Sequence, residues 1–374
     1  MSQDAAPLQI PAPDSDAEAA ARARQGQLTK PPGSLGRLEE LACWFAARLH
    51  TPLPSLERCE IFVFAADHGV AGRGVSAFPQ TVTQQMLSNF AAGGAAINVL
   101  ARLQHCRIEV VDVGVAAEAA PPAGVRAAKV RAGTRDLCSE AAMTETELIA
   151  ALAVGARCAR EAKERGAQLL IAGDMGIANT TSAACLICAL TGAPIEEVVG
   201  RGTGIDDAGL ARKVRVVGAA VARVRQHLGI TASSVPGSGA RKLQITGATA
   251  CQLFAQVGGL ELAAMAGLYL EGARFGIPLL LDGYISGAAA LGAAAMEPDV
   301  THWLLASHRS AETGHAVALE ALGLRPLLDL GMRLGEGTGA ALSVSLIRAA
   351  LHLHAEMATF AEAGVAGALD QASA

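Results

Sequence analysis

The sequence predicts an α/β protein with a parallel sheet covered by helices on both faces. Apolar runs of strand length recur at 59–65, 107–113, 168–173, 277–282 and 302–306, and amphipathic stretches of helix length separate them, at about 82–104, 144–165, 207–228 and 256–275. The strand runs, such as CEIFVFA and QLLIAG, are continuous rather than alternating, the pattern of strands buried on both faces. The 374 residues are 51% hydrophobic but only 3% aromatic, with 41 Gly, so the core is one of Ala, Val, Leu and Ile that packs helices closely. That length holds one large domain or two smaller ones.

Taken in order, residues 1–14 carry Pro-containing stretches without periodicity and are expected to be disordered. Residues 16–24 and 34–50 read as helices, joined by the stiff loop Thr29-Lys-Pro-Pro-Gly-Ser-Leu-Gly36, where Ser34 is a candidate cap. Strand 59–65 runs into Asp67-His68-Gly69, strand 107–113 ends at Asp112-Val-Gly114, and strand 168–173 opens into Gly173-Asp-Met-Gly176 before a helix at 182–190. Strand 277–282 ends at Asp282-Gly283-Tyr284 and strand 302–306 at Ser307-His308. An apolar run from Ala340 continues as a helix to about 361. There is no internal repeat, and 232–242 is a loop-like insertion without assignable chemistry. Polar residues at five strand ends exceed what a packed core requires, and in such sheets ligands bind beyond the C-terminal ends of the strands.

A net charge of −5 gives no footprint for nucleic acid or anionic lipid. No apolar run reaches the ~18 residues of a membrane span; the most apolar region, 256–296, is broken by Glu261, Glu271, Arg274 and Asp282. The N-terminus is polar and acidic without a signal-peptide core, so a cytoplasmic protein is expected. Its eight cysteines then read as buried thiols. Cys185 and Cys188 share one face of a helical run, with no second CxxC and no His pair to make a zinc site. No metal or cofactor is expected.

The most informative stretch is Gly331-Met-Arg-Leu-Gly-Glu-Gly-Thr-Gly339. Glu336 sits between Gly335 and Gly337, just before a helix. Missing Cβ atoms let a ligand approach the backbone, and a lone acid there suits a general base; a solvated Glu in a Gly-rich turn fits equally well. Gly173 to Ser182 has the features of a phosphate cradle, with Gly173 and Gly176 for close approach and Asn179, Thr180, Thr181 and Ser182 as donors at a helix start. It is not a Walker loop, since no Gly-Lys-Ser/Thr follows. Gly200-Arg-Gly-Thr-Gly204 is a second glycine turn, followed by a helix whose Lys213 is either a phosphate ligand or one more solvated Lys. His68 beside Asp67 fits a ligand or a structural strand end. Ser307-His308-Arg309-Ser310-Ala-Glu312 resembles a compressed triad but reads better as loop ordering, with no GxSxG elbow.

Together these stretches resemble one family, the nicotinate-nucleotide–dimethylbenzimidazole phosphoribosyltransferases of cobalamin biosynthesis. The similar segments are KPPGSLGRLE at 30–39, ADHGV at 66–70, GDMGIANTTSAA at 173–184, GRGTGIDDAGL at 200–210, LDGYISGAAAL at 281–291, SAETGH at 310–315, LGMRLGEGTGAAL at 330–342 and MATFAEAGV at 357–365. The resemblance implies a Rossmann-like sheet domain over 51–335 and a small helical lobe from both chain ends, 1–50 with 336–374. It also implies a homodimer. The implied reaction displaces nicotinate from nicotinate mononucleotide with 5,6-dimethylbenzimidazole, giving α-ribazole 5′-phosphate with inversion at the anomeric carbon. Carried over residue by residue, the catalytic acid is Glu336. Phosphate and ribose fall to Asp174, Gly176, Asn179, Thr180, Thr181, Gly202, Lys213, Gly335 and Gly337, and the base to Ser76, Phe78, Gln84, Met86 and Leu334. Asp174 departs from the pattern, standing where other members carry Glu. The alternatives are an NAD-dependent oxidoreductase, which lacks a full GxGxxG with its following acid, and a non-catalytic nucleotide- or corrinoid-binding protein, which would release no nicotinate.

Overall fold

Six strands form the sheet: β1 (Cys59–Ala66), β2 (Arg107–Gly114), β3 (Val125–Ala127), β4 (Leu169–Met175), β5 (Leu279–Leu281) and β6 (Leu304–Ala306). The computed structural model of the protein describes residues 9–230 and 242–366. All five pairings are parallel, and the order is β3-β2-β1-β4-β5-β6. The chain winds outward from β1 to one edge and from β4 to the other, so the order reverses between β1 and β4. Every residue of β1 is buried, which requires helices on both faces. The predicted fold class is the observed one.

The five expected strands are present, and β3 is an addition. Its three residues pair with Val110, Val111 and Asp112, too short a segment to leave an apolar run in the sequence. Two expected helices are each divided. The 82–104 stretch becomes Thr81–Ala91 and Ala96–Leu103, interrupted at Gly93-Gly94, where Gly93 has φ +77°. The 256–275 stretch becomes Leu260–Arg274, separated from Ala248–Val257 by Gly258-Gly259. Each helical Gly costs about 1 kcal/mol relative to Ala, so paired glycines break a helix that its apolar pattern would otherwise continue.

Ser34 does not cap the second helix. That helix is Arg37–Leu49 with Gly36 at its N-cap, and the turn before it is closed by the Lys30–Glu39 ion pair (2.9 Å) and by Leu35 N–H donating to Glu39 (3.0 Å). The expectation of disorder over 1–14 fails at its C-terminal end. Ile10 packs on the core, Trp303 Nε1–H donates to the Pro11 carbonyl (3.0 Å), and Asp14 caps the helix Ser15–Gln25. Residues 1–8 lie outside the described residues, as does the insertion at 232–242 except Lys242.

The described residues divide into two compact units. One holds the sheet, from 58 to 343, with 9–11; the other holds 12–57 and 344–366. In the smaller unit the two chain ends pair directly: Thr29 N–H donates to the Ala358 carbonyl (3.0 Å), Phe360 N–H to Gln27 (2.9 Å), and Gln25 meets His354 (2.9 Å). The expected boundary at 335/336 falls instead at 343/344. Gly337 and Ala340 N–H groups bond to Asp282 and Ser343 Oγ–H to the Ser307 carbonyl, so Glu336 belongs to the sheet-bearing unit.

Candidate active site

Where strand order reverses, the two neighbouring loops leave in opposite directions and open a crevice. A cavity of about 540 Å3 occupies this end of the sheet, lined by Phe78, Met86, Asp174, Met175, Gly176, Ile177, Asn179, Thr180, Gly202, Thr203, Gly283, Tyr284, Ile285, His308, Ser310, Glu312, Arg333, Leu334, Gly335 and Glu336. All of these residues belong to the sheet-bearing unit.

Glu336 is held there by an uncommon backbone. Gly335, Glu336 and Gly337 all have positive φ (+85°, +63° and +92°). The glycines adopt this freely, but for Glu it costs roughly 1–2 kcal/mol. Asp282 offsets the strain: its carboxylate accepts from Gly337 N–H (3.2 Å) and Ala340 N–H (3.0 Å), capping the helix Thr338–Glu356 from a different strand end. Thr338 adds two bonds to the Gly335 carbonyl, from N–H (3.0 Å) and Oγ–H (2.8 Å). Gly173 at the end of β4 makes room, since a Cβ there would collide with the Glu336 carbonyl oxygen and lie 2.8 Å from Gly337 N. Glu336 is 6% exposed. Burial raises its pKa, Ile97 N–H at the start of the helix Ala96–Leu103 opposes the shift by donating to Oε2 (3.4 Å), and the charge of Asp282 reinforces it. A carboxyl moved up towards neutrality is a better proton acceptor at working pH than an exposed Glu.

Asp174 lies beside this loop, its Oδ1 3.1 Å from where a Cβ on Gly335 would be. Burial, then the charge of Asp282, pushes its pKa up to about 8, against the Asn179 Nδ2–H bond (2.8 Å) that favours the anion. Burial and its acidic neighbours thus favour the protonated form of Asp174 far more than for an exposed Asp.

The phosphate expectations divide. Gly176, Asn179, Thr180 and Gly202 line the cavity. Thr181 does not: it is fully buried and its hydroxyl has no partner among the described residues. Ser182 turns inward and donates to the Val257 carbonyl (2.6 Å). Lys213 is 1% exposed, not solvated, and stands behind the cavity wall, donating to Thr180 Oγ1 (2.8 Å) and the Gly200 carbonyl (3.2 Å). Gly202 (φ +52°) is needed here, because a Cβ would lie 2.8 Å from Thr180 Oγ1 and 3.1 Å from Lys213 Nζ. Burial lowers Lys213 to about 8, with Glu312 supporting its charge. If it serves an anion, Lys213→Ala weakens phosphorylated-substrate binding roughly tenfold or more and leaves base binding nearly unchanged. In the unaltered protein that affinity falls as pH rises past about 8, where the ammonium is lost. Titration calorimetry with each ligand checks both; equal weakening of the two points to general disruption.

On the other side Phe78 (52% exposed), Met86 and Leu334 (59% exposed) line the cavity, apolar surface that a flat ring would cover. Ser76 and Gln84 are not among the lining residues. Ser76 Oγ bonds Thr203 Oγ1 (3.1 Å), shaping the loop beneath Phe78. Gln84 is exposed, while Thr83, one residue earlier, is buried and accepts from Ile177 N–H (3.2 Å). Gly337 serves through its N–H on Asp282. His68 is structural: fully buried, paired with Glu261 (2.6 Å).

Thr203, Ser310, Glu312 and Arg333, with Met175, Ile177 and Ile285, line the cavity without having been expected to, while Tyr284 and His308 stood at expected strand ends but were given no role. The 307–312 loop is ordered as expected, with Ser307 Oγ against His308 Nδ1 (3.0 Å) and Ser310 N–H donating to His315 (2.9 Å), but it also faces the cavity. The strand-end rule already pointed to His308; nothing local marked Arg333.

A family model described as phosphoribosyltransferase (DBI_PRT) matches residues 10–365. The chain is 56% identical over 354 residues to a nicotinate-nucleotide–dimethylbenzimidazole phosphoribosyltransferase of Chromobacterium violaceum, covering 95% of this chain and 97% of that one. It is 49% identical over 352 residues to the protein of the same name from Chloroflexus aurantiacus, covering 94% and 95%. The crystal structure of CobT from Thermus thermophilus superimposes with a TM-score of 0.85 at 49% identity, covering 94% of this chain and 100% of that one.

Proposed function

We propose residue roles from the premise that the chain belongs to the nicotinate-nucleotide–dimethylbenzimidazole phosphoribosyltransferase family. It is a pentosyl transferase of cobalamin biosynthesis, moving the phosphoribosyl group of nicotinate mononucleotide to 5,6-dimethylbenzimidazole. A benzimidazole nitrogen attacks C1′, the C1′–N bond to nicotinate breaks, and the electron pair goes to the pyridine nitrogen. The ring's other N–H becomes acidic, and Glu336 takes that proton. The leaving group is already a pyridinium, so it needs no acid. The observation that carries this reading is Glu336 itself, buried at the switch point on a strained, doubly capped turn facing a cavity of suitable size.

Gly176, Asn179, Thr180 and Gly202, with Lys213 behind them, take the phosphate and ribose; Phe78, Met86 and Leu334 take the base. Asp174, beside them on the cavity wall, takes part in holding the ribose, and its raised pKa supports a role as hydrogen-bond donor there. Incubating the protein with nicotinate mononucleotide and a panel of lower bases, and identifying the products, tests the reading. Absence of nicotinate release with every base would refute it.

The same reading includes a cytoplasmic homodimer with no membrane or nucleic-acid partner. No helix among the described residues is long and apolar enough to cross a membrane. Val99 (51% exposed) and Leu103 (65% exposed), one turn apart on the helix Ala96–Leu103, supply apolar surface of the kind a second copy covers. Sedimentation at micromolar concentration checks this, and a monomer there would rule it out.

A further inference from the structure

We propose that Arg333 is a positioning residue through which the substrate's 5′-phosphate fixes the Glu336 loop. The inference rests on the reading of nicotinate mononucleotide as donor. Arg333 lines the cavity and precedes Glu336 by three residues on the same backbone segment. Its Nη1–H donates to the Gly202 carbonyl (2.9 Å), the contact that ties this segment to the 200–204 turn. Lys213 reaches the same turn from behind, bonded to the Gly200 carbonyl and to Thr180 Oγ1. A guanidinium and an ammonium therefore converge on one glycine turn whose Gly202, Thr203 and neighbouring Thr180 face the cavity.

Arg333 is also chemically unspent. A guanidinium has five N–H donors; one is used on Gly202, and no carboxylate among the described residues pairs with it. The segment it belongs to is lightly held, with Gly331, Arg333 and Leu334 exposed and Ala311 N–H donating to Met332 O (2.9 Å) as its other link before Gly335. A phosphate bound at the turn would accept charge-assisted bonds from the remaining donors. Because the segment ends in Glu336, whose left-handed backbone is already strained, that contact converts phosphate binding into restraint of the base. Binding free energy from a part of the substrate that does not react would then appear as turnover.

The test compares nicotinate mononucleotide with nicotinate riboside, the same nucleoside without phosphate, in the unaltered enzyme, R333Q and R333K. The ratio of kcat values, nucleotide over riboside, is expected to fall roughly tenfold or more in R333Q, with R333K between the two. An unchanged ratio, with both substrates slowed alike, overturns the proposal. So does a change confined to the preference for nicotinate over nicotinamide as leaving group, which would mean the guanidinium reads the ring carboxylate. Hydrogen exchange gives a readout independent of turnover: saturating ribose 5-phosphate should slow exchange over 331–337 in the unaltered protein and not in R333Q. No protection in the unaltered protein refutes the coupling. Failure of the unaltered enzyme to release nicotinate from its nucleotide would instead refute the parent reading.

Discussion

Glu336→Gln is expected to bind both substrates and to lose turnover by roughly 10²–10⁴-fold. Gln keeps the shape of the side chain and can still accept from Ile97 N–H, but it cannot take a proton. The loss should therefore appear in kcat, with little change in either dissociation constant. The pH profile supplies the sign. Burial raises the Glu336 pKa, and only the deprotonated form is a base, so kcat rises with pH through that raised value and then levels. The variant should lose this limb. Steady-state kinetics across pH, with binding measured separately, checks the prediction; near-normal kcat would remove Glu336 from the role of base.

Gly173→Ala comes next in expected size, and it touches no reacting atom. The added methyl meets the Glu336 carbonyl oxygen and the Gly337 nitrogen, both backbone and both pinned by the Asp282 cap. Backbone cannot swing aside as a side chain does, so the loop must move, and a displacement of about 1 Å at a reacting group can cost ~10²-fold. Turnover should fall by about that much while every proposed chemical group survives. Thermal unfolding must accompany the kinetics. A folded variant with unaltered kcat would show that the loop tolerates the shift and that its placement is not critical.

Much of the architecture was legible because strands buried on both faces leave continuous apolar runs, and β1, β2 and β4 match theirs to within about two residues at each end. The two helix breaks carry visible signals in Gly93-Gly94 and Gly258-Gly259, which the strong apolar periodicity on either side masks. Strand β3 leaves no comparable mark. In the cavity, glycines at points of close approach mark Gly176, Gly202 and the Glu336 loop from the sequence alone. Polar residues with two uses are harder. His308, Ser310 and Glu312 order their own loop and also face the cavity, and spacing alone supports only the first. Lys213 looks like any Lys of an amphipathic helix; the packing of its helix beneath the 200–204 turn decides its burial. Arg333 stood inside the most informative stretch, yet no local rule says which way an exposed Arg beside a Gly-rich turn will reach.

The crowding of acids around the switch point bears on release as well as on chemistry. Asp174, Asp282 and Glu336 are all pushed upward by burial, and the charge of Asp282 adds to the shift of the other two, so a positive charge brought to this end of the sheet favours their ionised forms. The pyridinium nitrogen of nicotinate mononucleotide brings such a positive charge beside the anomeric carbon, with its ring carboxylate held on the far side of the ring, whereas α-ribazole 5′-phosphate has a neutral base. In the proposed reaction the ring's positive charge disappears as Glu336 is protonated, so the attraction that drew the substrate in is consumed by turnover. The cavity should then bind substrate more tightly than product, and the two dissociation constants, measured at one pH and ionic strength, should differ in that direction.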